Sequence, residues 1–143
     1  MAIVQAMCSS FKEQLLEGDH DLLNDSLKMA LYTSSANLGA TTTAYETANE
    51  VSTSGTNYTA GGVAVNNVTV TLTSTTAHVD FDNVVFENVD LTARGAIIYN
   101  SSATNTNAAI AVLNFVEDKT ATDGNFTVIL PTDGASSSII RIA

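Results

Sequence analysis

The chain has 143 residues, the size of one domain, with 45% hydrophobic and only 14% charged residues. Its net charge of −10 repels phosphate backbones and anionic lipid surfaces, which argues against nucleic acid and membrane as partners. The single cysteine, Cys8, excludes an internal disulfide.

The first segment, residues 1–7, lacks the basic region and long apolar stretch of a secretory signal, so synthesis in a cytoplasm without signal-peptide secretion is expected. Ala2, Ile3, Val4 and Met7 make it apolar, and residues 1–8 are a candidate N-terminal arm for docking. A helix is predicted over residues 10–17. Ser10 and Glu13 form a capping box, Phe11, Leu15 and Leu16 an apolar face, and Gly18 a left-handed stop. Cys8, just before it, reads as a small buried hydrophobe beneath the helix rather than a reactive thiol.

A half-buried strand is predicted from the alternation of Leu27, Met29 and Leu31 with Lys28, Ala30 and Tyr32. Periodicity is lost over residues 33–62. So long a connection in a small domain is expected to be ordered, with a short strand near Glu50 and Val51. Its tyrosines, Tyr45 and Tyr58, could anchor a protein contact or fold back against the domain. Gly61 and Gly62 lack the Lys and following helix of a phosphate loop, and suggest an unusual backbone angle or close packing.

From Val63 onward strands follow one another: 63–65, 68–73 with a bulge at Asn66 and Asn67, 77–81, 84–86, 93–99, 108–116, 126–130 and 138–142. Turn residues separate them at Asp82-Asn83, Asn100-Ser101-Ser102, Asp123-Gly124-Asn125 and Asp133-Gly134. The expected fold is a single all-β domain over residues 1–143, an antiparallel β-sandwich or barrel-like structure with one short N-terminal helix. The last strand carries Ile139, Ile140 and Ile142 on both faces apart from Arg141. It must pair within the sheet or with another chain.

No motif indicates catalysis, and an enzyme is not expected. Asp80 and Asp82, with Asp118, Asp123 or Asp133, could hold Ca²⁺, but the spacing of a calcium loop is missing and solvated loop ends are the simpler reading. His20 and His78 have no metal-ligand spacing, and the alternation around His78 points it to solvent or an interface. No cofactor or metal is expected.

Several strings together resemble small virion structural proteins of tailed bacteriophages, including those of cyanobacteria. They are residues 6–18 (AMCSSFKEQLLEG), 28–33 (KMALYT), Ala44-Tyr45 with Asn49-Glu50-Val51, 58–62 (YTAGG), 93–100 (ARGAIIYN) and 139–142 (IIRI). The resemblance implies a virion component, foremost a capsid decoration (cement) protein that bridges major capsid subunits as a homo-oligomer, with a trimer the expected state. The alternatives are a tail, neck or fibre component, or a receptor- or glycan-binding module using the tyrosine-containing loop. The candidate subunit and capsid contacts are Ala2, Ile3, Val4, Met7, Tyr45, Tyr58, Ile139, Ile140 and Ile142.

Overall fold

A computed structural model describes residues 2–143. It is an all-β, sandwich-like structure of two antiparallel sheets and one short helix. In chain order the elements are β1 (Ala6–Met7), α1 (Ser9–Glu17), β2 (Leu27–Tyr32), β3 (Val63–Ala64), β4 (Thr69–Thr73), β5 (Thr76–Asp80), β6 (Val84–Asn100), β7 (Ala108–Val128) and β8 (Ile140–Ile142). The larger, five-stranded sheet runs β1-β7-β6-β2-β3, and the smaller, three-stranded one β4-β5-β8.

The middle of the large sheet is buried on both faces. Met29, Ile98 and Ala111 line up on one face, Ala30, Ile97 and Val112 on the other, and all six are in the core. Burial on both faces removes the selection for alternation, so β2 is apolar nearly throughout rather than half-buried. One continuous core joins this sheet to Phe11 of α1, to Leu38, Val51 and Tyr58 of the long connection, and to Val79 and Ile140 of the small sheet.

The strands predicted at 84–86 and 93–99 are parts of one 17-residue strand, and those at 108–116 and 126–130 merge into a 21-residue strand that ends at Val128, leaving residues 129–130 outside it. The predicted turn at Asp123-Gly124-Asn125 is a bulge inside β7. There Asp123, at φ 49°, donates its N–H to Asp90 Oδ1 at 2.8 Å, and Asn125 Oδ1 accepts the Asn88 N–H at 3.1 Å. Residues that signal a turn also suit a bulge, because both need left-handed backbone angles. Likewise Asn67, at φ 54°, does not keep one strand continuous: it separates β3 from β4, which lie in different sheets.

Helix α1 begins one residue earlier than predicted, with Cys8 at the cap position and no side-chain cap. The capping box is absent, and the Ser10 hydroxyl is buried without a partner. Gly18 is the left-handed stop, at φ 80°. Only Phe11 is fully buried. Leu16, assigned to the apolar face, is 91% exposed, because the helix docks on the sheet through a narrow stripe.

The N-terminal segment is not a free arm. Val4 donates to the Leu38 carbonyl at 2.8 Å, Leu38 donates to the Ala2 carbonyl at 3.0 Å, and Cys8 donates to the Ile110 carbonyl at 2.9 Å. Ile3 is buried over Gly95, where an added Cβ would come within 2.9 Å of two Ile3 side-chain carbons and 2.5 Å of the Leu113 carbonyl oxygen. The missing side chain at Gly95 is the notch that seats Ile3. Met1 lies outside the described residues.

Candidate functional site

The chain's four tyrosines converge on one carboxylate. Tyr45 donates to Glu50 Oε2 at 2.8 Å, Tyr58 to Oε1 at 2.7 Å, and the Gly61 N–H to the same Oε1 at 2.7 Å. The Tyr58 oxygen also accepts the Leu31 N–H at 3.0 Å. Tyr99 donates to the Gly61 carbonyl at 2.7 Å and stacks on Tyr45, with centroids 4.8 Å apart. Tyr32 donates to the Glu46 carbonyl at 2.6 Å. Burial, with the nearby carboxylate, pushes all four phenols above their ordinary range.

This clamp explains why residues 33–62 are ordered. It also changes the standing of Tyr45 and Tyr58, offered from the sequence as possible external anchors. Tyr58 is buried and Tyr45 half-buried, and both hydroxyls bond Glu50, so they fold back on their own domain. Gly62, at φ 78°, lets the same segment lie directly on the β2 backbone at Met29 and Ala30.

The histidines are internal, His20 7% and His78 3% exposed, so of the two positions expected for His78, solvent or an interface, solvent is ruled out. Asn100 donates to His20 Nδ1 at 3.0 Å and to Asp25 at 2.6 Å. His20 is therefore the neutral form with its proton on Nε2, which donates to Gln14 Oε1 at 2.9 Å. Burial lowers its pKa, while Asp19 and Asp25 oppose the shift. His78 lies between Asp133 Oδ1, 2.8 Å from Nδ1, and Thr73 Oγ1, 2.9 Å from Nε2. That is the bonding order of a catalytic triad. Here it fastens the segment before β8 to the β4–β5 hairpin, because Ser138 Oγ also donates to Asp133 and accepts from the Gly134 N–H.

Among the described residues no three His, Cys, Asp or Glu side chains converge on a possible metal position. The aspartates considered for Ca²⁺ are spread over separate partners: Asp118 on Arg94, Asp133 on His78, Asp82 on Asn67. Cys8 is fully buried and its thiol is pushed up to about 11 by that burial, an inert state. No helix among the described residues is long and apolar enough to cross a membrane.

Part of the exposed apolar surface lies on the small sheet. Register places Val70 beside Val79 and Ile140, and Leu72 beside Ala77 and Ile142, so these six share one face. Val79 and Ile140 are buried against the body, whereas Val70, Leu72 and Ile142 are 46%, 71% and 52% exposed. A cleft of about 350 Å³ runs between this face and Leu15, Leu22 and Leu23. A second apolar cleft, of about 560 Å³, lies beside β7 between Phe115, Phe126, Leu130 and Ile139. Val116 and Ile129, 79% and 78% exposed, add to the chain's exposed apolar residues.

Of the contacts proposed from sequence, Ile142 and Ile139 thus lie at exposed or cleft-lining positions, Ala2 and Val4 are exposed beside Leu38, and Met7 is half-buried in β1. Ile3 and Ile140 belong to the core. Val70 and Leu72 were not singled out. The signal for them was present: residues 51–79 contain no Asp, Glu, Lys or Arg, in a chain otherwise rich in acid. Comparison with protein-family models, with curated proteins and with solved structures returned no match to this chain.

Proposed function

We propose that this chain is a structural protein of a tailed-bacteriophage particle, a decoration protein on the head surface that binds neighbouring capsid subunits and copies of itself. The observation that carries an assembly role is the exposed apolar face of the β4-β5-β8 sheet, with its unpaired strand edges. Contiguous exposed apolar surface marks interaction sites on otherwise polar domains. The resemblance of the sequence strings supplies the particle. A chain with 15 acidic and 5 basic residues suits a surface that must stay dispersed.

The mechanism is linkage: a protein that binds only the assembled lattice stabilises it by mass action. A glycan- or receptor-binding reading relied on Tyr45 and Tyr58, whose hydroxyls are engaged with Glu50. The test is to add purified chain to particles stripped of it. Co-sedimentation and a raised temperature of genome release are expected, both reduced by Leu72→Lys. Failure to bind particles, or turnover of a cell-wall glycan by the purified chain, would overturn the reading.

A further inference from the structure

We propose that β4 is a self-pairing edge, joining two copies of this chain across a two-fold axis at Thr71 into one continuous six-stranded sheet. The proposal rests on the edge itself and holds whichever particle, if any, the chain belongs to.

Strand β4 pairs with β5 on one side only, and all five of its residues are exposed. Protein edges are ordinarily protected by charge, proline, a bulge or a covering segment. This one has none of the first three: its sequence is Thr-Val-Thr-Leu-Thr, paired with β5 in unbroken register. The uncharged stretch around it, residues 51–79, leaves nothing on the strand to repel a second copy, despite the net charge of −10. The C-terminal strand β8, which the sequence suggested as the joining edge, is only three residues long and carries Arg141. It is the better protected of the two edges.

The pairing register follows from hydrogen-bond parity. Residues 74 and 75 form a two-residue turn, with Ser74 at φ 55°, that closes the hairpin at the Thr73–Thr76 pair. In an antiparallel ladder hydrogen-bonded pairs alternate, so Thr73, Thr71 and Thr69 direct their N–H and C=O groups to β5. The groups of Val70 and Leu72 then point outward from the edge. An antiparallel partner must oppose outward residues to outward residues. For two identical strands, the register that uses both on each copy sets Val70 against Leu72 of the second copy, with Thr71 against Thr71 on the axis.

The sequence is symmetric in kind about that point. Threonine meets threonine on the polar face, a favourable cross-strand pair, and Val70 meets leucine on the apolar face. The exposed apolar faces of both copies become one surface. An isologous contact of this kind closes on itself, so it gives a dimer in place of the expected trimer, without open-ended polymerisation.

The test uses the full chain. Sedimentation equilibrium at micromolar to hundred-micromolar concentration should give a dimer. Leu72→Pro deletes an outward N–H and no bond to β5, and Leu72→Lys places a charge in the seam. Each should weaken dimerisation at least about tenfold with the far-ultraviolet circular dichroism unchanged; the lysine variant serves if the proline variant misfolds. Thr71→Cys should cross-link to itself on mild oxidation, since its two copies face one another. Thr69→Cys should not, its copies lying about 14 Å apart along the strands. Cys8 is buried and stays out of the reaction. A monomer throughout, a dimer unaffected by Leu72→Lys, or a dimer in which Thr71→Cys fails to cross-link overturns the proposal. So does a monomer whose edge captures only a strand of a different virion protein.

Discussion

Replacing Gly62 by alanine should be among the most damaging single-methyl changes in this chain. An added Cβ would fall inside the Met29 carbonyl, with Met29 C at 2.5 Å and Ala30 Cα at 2.8 Å. Those atoms are backbone of β2, the strand between β6 and β3, and no side-chain rotation relieves the clash. The φ of 78° alone costs an alanine about 1–2 kcal/mol. Relief requires residues 61–64 to withdraw from β2. That loosens the Lys28–Ala64 and Met29–Val63 pairs and the Gly61 bonds to Glu50 and Tyr99. At about 1 kcal/mol net per hydrogen bond, the total is about 4–6 kcal/mol. That is much of the 5–15 kcal/mol by which a domain is usually stable. Urea denaturation followed by circular dichroism measures it directly. Gly55→Ala is the control, because Gly55 has φ 72° and open space around it, so only the angular cost of about 1–2 kcal/mol applies. Equal loss in the two variants would refute the close-approach argument.

Glu50→Ala leaves the Tyr45 and Tyr58 hydroxyls and the Gly61 N–H without their acceptor, and should cost about 2–4 kcal/mol in urea denaturation. The raised tyrosine pKa values predict little tyrosinate absorbance in the native protein near pH 10.5. Stability should be retained below the unfolded value of about 10 and fall as pH rises beyond it, because the unfolded chain ionises first. His20 acts in the opposite sense. Its lowered pKa contributes stability above about pH 6.5 that is lost as pH falls toward the folded value, and His20→Asn should flatten that dependence in thermal melts. With a thiol pKa of about 11, Cys8 has roughly one thiolate in a thousand at pH 8, so native-state labelling should be slow and should become fast in urea.

Local features were legible in the sequence where the physics is local. The left-handed stop at Gly18, the strand at 27–32 and the close packing of Gly61 and Gly62 follow from side-chain size, backbone freedom and period. The capping box failed because docking of residues 6–8 on β7 sets Cys8 at the cap position and buries the Ser10 hydroxyl, overriding a preference worth about 1 kcal/mol. The two long strands looked like four because Asn88, Val116 and Asp123 adopt positive φ within them, and bulges carry turn residues. The tyrosine clamp was illegible because Tyr45, Glu50 and Tyr58 lie in a connection without periodicity, and Tyr32 and Tyr99 reach it only through the pairing of β2 with β6. The open edge of β4 was half legible: the Thr-Val-Thr-Leu-Thr alternation predicted a strand, but only the topology shows that one side of it is unpaired.

The most direct test of the account is the position of this chain on an intact particle, by electron cryomicroscopy. The account predicts repeated density on the outer surface of the head, with the β4-β5-β8 sheet turned toward neighbouring subunits. Its absence from purified particles, or density with that sheet fully exposed to solvent, would contradict it.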